Sequence, residues 1–404
     1  MFKFSRLLSS TVWILLAPAA CAGAGGATEP GSEDGPAPLA RLPFQSDYFL
    51  VLAEGSVESV GGLTFILDTG SNHHIIDREV ARRAGVSSGP FRRRRAAART
   101  VEIARASGVT LALGDIELPD QDVSVADLRD QWPILGRPMH GILGASLFEL
   151  YTVEIDYYRR QIAFYDPEGY RYQGKGREVP LEMSNRLPFL TLELKNGERD
   201  PLSARLLLDT GSTELATLSG PESVRLFDPD APRFYTDTGA GFGGTYKIRA
   251  FHTRIDALRI GPIEVKRPYP GGREQRAQSG LLGVVGGGLL HHFTAVIDYR
   301  RSRLLLEPNQ NFGQPFQFDK SGLFLIGDEK NLGRIKILSL SPGSPAAQAD
   351  LRVNDRLIEV DGRPVEELTL DGLRIMLRRP ALFRLLVERD GKRLEVEMET
   401  QPLF

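Results

Sequence analysis

Leu67-Asp68-Thr69-Gly70-Ser71 and Leu208-Asp209-Thr210-Gly211-Ser212 are one pentapeptide written twice in a chain of 404 residues. Phe65-Ile66 precede the first copy and Leu206-Leu207 the second, so each reads as a short buried strand running into a tight turn. A single Asp-Thr-Gly says little, because all three residues are ordinary turn formers. Two copies 141 residues apart, in matching surroundings, say more.

The surroundings do match. Upstream of Asp68, the apolar run Phe49-Leu50-Val51-Leu52-Ala53 is followed by a turn from Gly55 to Gly62 and a second strand, Leu63 to Leu67. Upstream of Asp209, Phe189 to Leu194, a turn at Asn196-Gly197 and Ala204 to Leu208 read as the same hairpin. Leu-Pro-Phe occurs before both, at 42–44 and 187–189. Downstream, Gly141-Ile142-Leu143-Gly144 aligns with Gly283-Val284-Val285-Gly286. Val153-Glu154-Ile155-Asp156-Tyr157 then aligns with Ala295-Val296-Ile297-Asp298-Tyr299, at an offset of 142. A period this long is no solenoid repeat and predicts two similar β-rich lobes.

With these motifs the chain resembles an aspartic peptidase of the pepsin/retropepsin type over about residues 41–312. The resemblance implies a mainly β fold: two similar retropepsin-like β-barrel lobes, residues 41–176 and 177–312, forming a pepsin-like bilobal unit. It makes Asp68 and Asp209 the catalytic pair, Thr69 and Thr210 the residues that cross-brace their loops, and Ile142-Leu143-Gly144 and Val284-Val285-Gly286 the strands beside those loops. The chemistry is physically sound. Two carboxyl groups about 3 Å apart cannot both ionise easily and so share a proton. One can take a proton from water while the other polarises the scissile carbonyl, with no covalent intermediate. Gly70 and Gly211 allow close approach of the turns. Ser71 and Ser212 are expected to hydrogen-bond the outer carboxylate oxygens. Retroviral relatives carry Ala there, so the serines lean toward the pepsin side and an acidic optimum.

Family members cover the cleft with a hairpin flap, for which Thr238 to Tyr246 is the candidate stretch and Gly241, Phe242, Gly243 and Tyr246 the candidate flap residues. The corresponding stretch of the first lobe, Ser87 to Ser107, carries Arg92-Arg93-Arg94-Arg95. That run reads either as a solvated strand face or as a rim favouring acidic substrate segments. The histidine pairs at 73–74 and 291–292 lack metal-ligand spacing and read as structural; no metal or organic cofactor is expected.

After Gly313-Gln314-Pro315 the duplicated pattern stops. Residues 318–404 resemble a small α+β PDZ domain, through Ser341-Pro342-Gly343-Ser344-Pro345-Ala346-Ala347 and a strand ending in Asp361-Gly362. Asp350 and Asn354 replace the usual glycines and tolerate left-handed backbone. PDZ domains add a peptide as a strand beside a helix. The resemblance assigns that role to Gly322, Leu323 and Phe324 on the edge strand and to Leu370 and Leu373, which share a helix face with Leu377. The same leucines suit a core face. The ligand would be a C-terminal tail, a partner, or the protein's own lobes.

The chain is 41% hydrophobic and 25% charged with net charge −2, ordinary for a soluble globular protein and without the basic field of a nucleic-acid binder. Lys3 and Arg6, the apolar run Leu7 to Leu16, and Ala17, Ala19 and Ala20 predict an export signal over 1–21, too short to span a bilayer of about 30 Å. Cys21 is the single cysteine, which excludes an intrachain disulfide. It opens a low-complexity linker over 22–40 and stands where a lipoprotein carries its lipid, although Pro18 occupies the usual leucine position. Lipidation and simple cleavage both remain open. The expectation is an exported endopeptidase of the periplasm or cell envelope, acting on proteins or peptides. A monomer is expected, because one chain supplies both halves. The competing reading is a non-catalytic peptide-binding scaffold of the envelope.

Overall fold

The computed structural model describes residues 37–96, 98–228, 230–273, 281–316 and 319–400. The expected export signal, Cys21 and most of the linker lie outside the described residues. The fold is mainly β.

The hairpin that delivers Asp68 pairs Leu50–Val57 with Val60–Leu67 in antiparallel register, Leu52 opposite Ile66 and Ala53 opposite Phe65. Leu50, Val51, Leu52 and Ala53 are all buried, so both faces of this strand are covered and the sequence shows a continuous apolar run rather than alternation. The turn is shorter than its glycines suggest. Both strands run on to Val57 and Val60, leaving only Glu58 and Ser59 at the reversal. Gly55 marks a break in register, where Ser56 and Val57 pair with Ala112 and Leu111 of a third strand. A strand glycine here signals a bulge and not a turn.

The second lobe repeats the plan with Leu187–Lys195 and Leu202–Leu208, Leu190 opposite Leu206. In each lobe the Gly-led strand pairs in parallel with the strand entering the Asp loop and antiparallel with the strand leaving it. Gly141–Leu143 lies between Val60–Leu67 and His74–Asp77. Gly283–Val285 lies between Leu202–Leu208 and Ala216–Ser219. The aspartate turn is thereby held from both flanks.

The lobes are joined by a six-stranded sheet in the order Ala40–Pro43, Gln161–Tyr165, Thr152–Asp156, Phe293–Asp298, Arg303–Pro308, Arg177–Pro180. At its centre Val153 pairs with Ile297 and Ile155 with Ala295. Since Val153 corresponds to Ala295 and Ile155 to Ile297 in the repeat, these two pairings interconvert on exchanging the lobes. That is the signature of a local two-fold axis. One apolar core, including Phe65, Leu147, Phe148, Leu206, Leu289 and Phe293, runs through both lobes. Two strained turns tie them further. Tyr48 and Phe49 have φ of 46° and 74°, and Asn185 and Arg186 have 50° and 66°. Such values are costly for bulky residues, and each turn reaches the opposite lobe. The Phe49 ring stacks 4.5 Å from His291, and Arg186 donates to Asn72 O and Ser146 Oγ at 3.1 and 2.8 Å.

The C-terminal sheet contains Leu323–Asp328, Asn331–Leu340, Arg356–Val360, Ala381–Arg389 and Lys392–Thr400, with Leu323–Asp328 at the edge. Thr369 caps the helix Leu370–Met376 by accepting from Gly372 N–H. Asp350 and Asn354 have φ of 55° and 73°. Leu370, Leu373 and Leu377 are buried in this domain's core with Leu325, Ile337 and Phe383.

Candidate active site

Asp68 and Asp209 follow directly on the strands Val60–Leu67 and Leu202–Leu208. Their N–H groups donate to Leu143 O at 2.9 Å and Val285 O at 2.8 Å, so the Gly-led strands fix where each turn begins. Within the turns, Gly70 N–H donates to Asp68 Oδ1 at 2.8 Å and Gly211 N–H to Asp209 Oδ1 at 3.0 Å. The two carboxyl groups are hydrogen-bonded to each other. A Cβ on Gly70 would lie 2.6 Å from Asp209 Cγ, and one on Gly211 2.5 Å from Asp68 Cγ. Only glycine permits that approach.

The threonines interlock the loops. Thr69 Oγ1 donates to Leu208 O at 2.7 Å and accepts from Thr210 N–H at 3.0 Å. Thr210 Oγ1 donates to Leu67 O at 2.8 Å and accepts from Thr69 N–H at 3.0 Å. Both side chains are fully buried.

Ser71 and Ser212 depart from expectation. Ser71 Oγ donates to His73 O at 2.8 Å, and Ser212 Oγ accepts from Glu214 N–H at 3.3 Å. The hydroxyls thus brace the following turn, and the serine backbone N–H groups close the aspartate turn itself, donating to Asp68 O at 3.2 Å and Asp209 O at 3.1 Å. A serine two residues before a free backbone group satisfies that group locally first.

Burial pushes the Asp68 carboxyl above the usual range, partly offset by hydrogen bonds from Asp209 and backbone N–H groups. Burial pushes Asp209 well above it, and the Asp68 charge adds to that. The pair therefore retains a proton at a pH where isolated carboxyls hold none.

The glycine-rich stretch of the second lobe forms the hairpin Phe234–Gly241 with Gly244–His252, turning at Phe242 and Gly243. Its tip bonds to the first lobe. Ala98 N–H donates to Phe242 O at 3.1 Å, Gln131 Nε2 donates to Gly241 O at 2.9 Å, and Phe242 packs against a cluster including Leu128 and Leu135. Tyr246 lies farther back, its ring over Gly239. Gln131 carries no recognisable signal in the sequence, since its partner is 110 residues away. His74 Nδ1 accepts from Gly144 N–H at 3.1 Å and His292 Nδ1 bonds Asn311 O at 2.7 Å, so both serve the scaffold.

The expected PDZ groove is filled by the chain itself. Asp319 accepts from Ser321 N–H, from Ser321 Oγ and, at 2.7 Å, from Gly322 N–H, taking the donors a ligand carboxylate would use. The short helix Trp132–Leu135 of the first lobe packs on the edge strand that carries Leu323 and Phe324. Arg374 Nη2 bridges them, donating to Ile134 O at 2.8 Å and Leu325 O at 2.9 Å. Gly136, with φ of 69°, abuts Leu370; a Cβ there would meet Leu370 Cβ at 2.6 Å. Tyr48 N–H donates to Asp371 Oδ1 at 2.9 Å. Leu370 and Leu373 are buried in the domain core, the core-face reading of the two that the helix pattern allowed. Asp319-x-Ser321-Gly322 is a recognisable side-chain-to-backbone turn, so its self-capping was readable in principle.

Residues 53–147 match the family model described as aspartyl protease, and residues 336–389 match that of a PDZ domain. The first match contains Asp68 and the strand Gly141–Leu143. No curated protein matches the chain.

Proposed function

We propose that the protein is an aspartic endopeptidase in which two lobes, residues 41–176 and 177–312, share one pepsin-like active site. The observation that carries this reading is the reciprocal threonine interlock, which leaves two half-buried carboxyl groups hydrogen-bonded to each other. A structural turn aspartate needs neither a partner carboxyl nor a raised pKa; an acid–base pair needs both. In the proposed reaction the ionised carboxylate removes a proton from water as oxygen attacks the scissile carbonyl. The protonated carboxyl donates to the carbonyl oxygen, and the amine leaves with a proton returned from the pair. Charge is created and consumed between two oxygens held rigid beforehand, which limits reorganisation. The flap hairpin would exclude bulk water once closed over an extended peptide.

The active unit is proposed to be a monomer, exported through residues 1–21. Cys21→Ser separates the two fates of the leader: it releases a lipid-anchored protein from membranes and leaves an already soluble one unchanged. We assign substrate recruitment by the PDZ domain to a state in which Asp319 and Trp132–Leu135 have left the groove.

The decisive test compares protein termini released by the wild type, Asp68→Asn and Asp209→Asn. Each substitution is expected to abolish cleavage with folding retained. Activity surviving in either variant would refute the shared dyad, and a wild type that binds peptides without cutting them would establish the scaffold reading.

A further inference from the structure

Beside the Asp68 loop opens a cavity of about 430 Å3. Ser71, Asn72 and His73, the residues that follow the dyad turn, form one wall, and Arg92, Arg94 and Arg105 the other. Strand geometry explains why three arginines converge. Arg92–Arg95 pairs antiparallel with Thr100–Leu113, Arg92 opposite Ile103. Side chains two apart on a strand share a face, so Arg92 and Arg94 point into the cavity with Ile103 and Arg105, and Arg93 and Arg95 point away. Among the described residues, none of the three makes an ion pair. Other arginines of the lobes are paired, as Arg205 with Glu182 and Arg186 with Glu149. His73 adds no positive charge at neutral pH, since burial and the field of Arg105 lower its pKa.

The second lobe does not repeat this arrangement. The position equivalent to His73 is Glu214, which bonds His252 Nε2 at 3.0 Å. The cavity wall next to the Asp68 turn therefore differs from the matching position beside the Asp209 turn, where a carboxylate stands.

From this geometry we infer that the cavity is a subsite for a glutamate or aspartate side chain of the peptide substrate. The inference rests on the peptidase reading for its place in the cleft. The arginine forks suit bidentate carboxylate contacts, and the apolar Ile75 and Ile103 leave room for the methylene stem. Because the cavity lies beside the Asp68 turn and the equivalent position beside the Asp209 turn carries Glu214, the acidic residue lies on one side of the scissile bond and fixes the direction in which the peptide threads the cleft.

The test uses the full chain and fluorogenic peptides that differ only by Glu or Gln at each position flanking the scissile bond. At positions on one side, Glu is expected to raise kcat/KM on the order of tenfold over Gln. That ratio falls toward one in Arg92→Ala and Arg105→Ala and in about 1 M salt, and Arg105→Glu shifts preference toward Lys. Arg93→Ala, on the opposite face, keeps the wild-type ratio. Equal cleavage of the Glu and Gln peptides at every position overturns the subsite while leaving the peptidase reading intact. If no peptide is cut, the same peptides are titrated onto the Asp68→Asn protein by fluorescence anisotropy. Tighter, arginine-dependent binding of the Glu peptides upholds the subsite without the enzyme; equal or absent binding overturns it.

Discussion

Thr69→Val tests whether the interlock holds the two halves together. Valine has nearly the shape of threonine, so no cavity opens and the effect isolates the hydroxyl. Its loss takes the acceptor from Thr210 N–H and one donor from Leu208 O, at a site with no exposed surface. Leaving a buried polar group unpaired costs about 1–3 kcal/mol, so the expected loss is roughly 2–6 kcal/mol, a large share of a typical stability of about 5–15 kcal/mol. Thr210→Val breaks the other two bonds, to Leu67 O and Thr69 N–H, and should cost a similar amount. Thr69→Ser keeps both bonds and should remain near wild type. Urea unfolding followed by circular dichroism reads the differences, with activity falling in step as the carboxyls lose their spacing. A Thr69→Val protein within about 0.5 kcal/mol of wild type, the scatter of an ordinary surface change, would refute the reasoning.

Three further outcomes follow from buried charge and docking. Because burial raises the Asp209 pKa, the folded state prefers the proton, and stability is lost as pH rises through the raised value; Asp209→Asn should raise the urea midpoint at pH about 7 and leave it unchanged at pH about 3, below the ordinary carboxyl range. Asp47, raised to about 7 by burial and by Asp371 against the opposing fields of Arg374 and Arg137, sits where the first lobe meets the PDZ helix. Its protonated form favours docking, so hydrogen exchange in residues 132–136 should speed up as pH rises through about 7, after correction for the intrinsic exchange rate, and Asp47→Asn should flatten that response. Gly136→Val forces a side chain into Leu370 at a left-handed backbone position and should expose the edge strand Leu323–Asp328 to exchange; unchanged protection there would show that the helix Trp132–Leu135 does not cover it.

The meeting of the Asp68 and Asp209 turns was legible because its cause is local. Asp, Thr and Gly each contribute through their own turn, and the duplication displays the second half at a fixed offset. Local reasoning failed where a local competitor or a distant partner intervened. The serine hydroxyls were lost to backbone groups two residues away. Gly55 marked a bulge because a third strand, some 55 residues on, pairs there. The tip of the Phe234–His252 hairpin was readable as glycine-rich, but its ties to Ala98 and Gln131 span more than 100 residues. Arg105 shares a strand face with Ile103, the partner of Arg92, and that neighbourhood exists only in the hairpin register, which the run at 92–95 does not encode.

On the proposed reading, fusing two lobes in one chain changes what the site can do. A pair of identical lobes would carry the same residue on both sides of the dyad and would read a substrate alike in either direction. Here the halves agree where the chemistry demands equality, in Asp-Thr-Gly-Ser and the strands beneath it, and they differ immediately beyond. His73 faces a wall of arginines while Glu214 bonds His252. One lobe presents Tyr48 and Phe49 to Arg378 of the PDZ domain, their rings 4.6 and 4.8 Å from its guanidinium, while the other presents Arg186 to Glu149. The same turn thus tethers the PDZ domain on one side and locks the lobes together on the other. Phe49 also stacks on His291, at the end of the helix whose first N–H, from Gly287, donates to Ser212 O at 2.8 Å. PDZ docking and the Asp209 turn therefore share one strained connection. On the proposed peptidase reading, a ligand that pulled the PDZ domain off Tyr48 and Phe49 would reach the Asp209 turn through this connection.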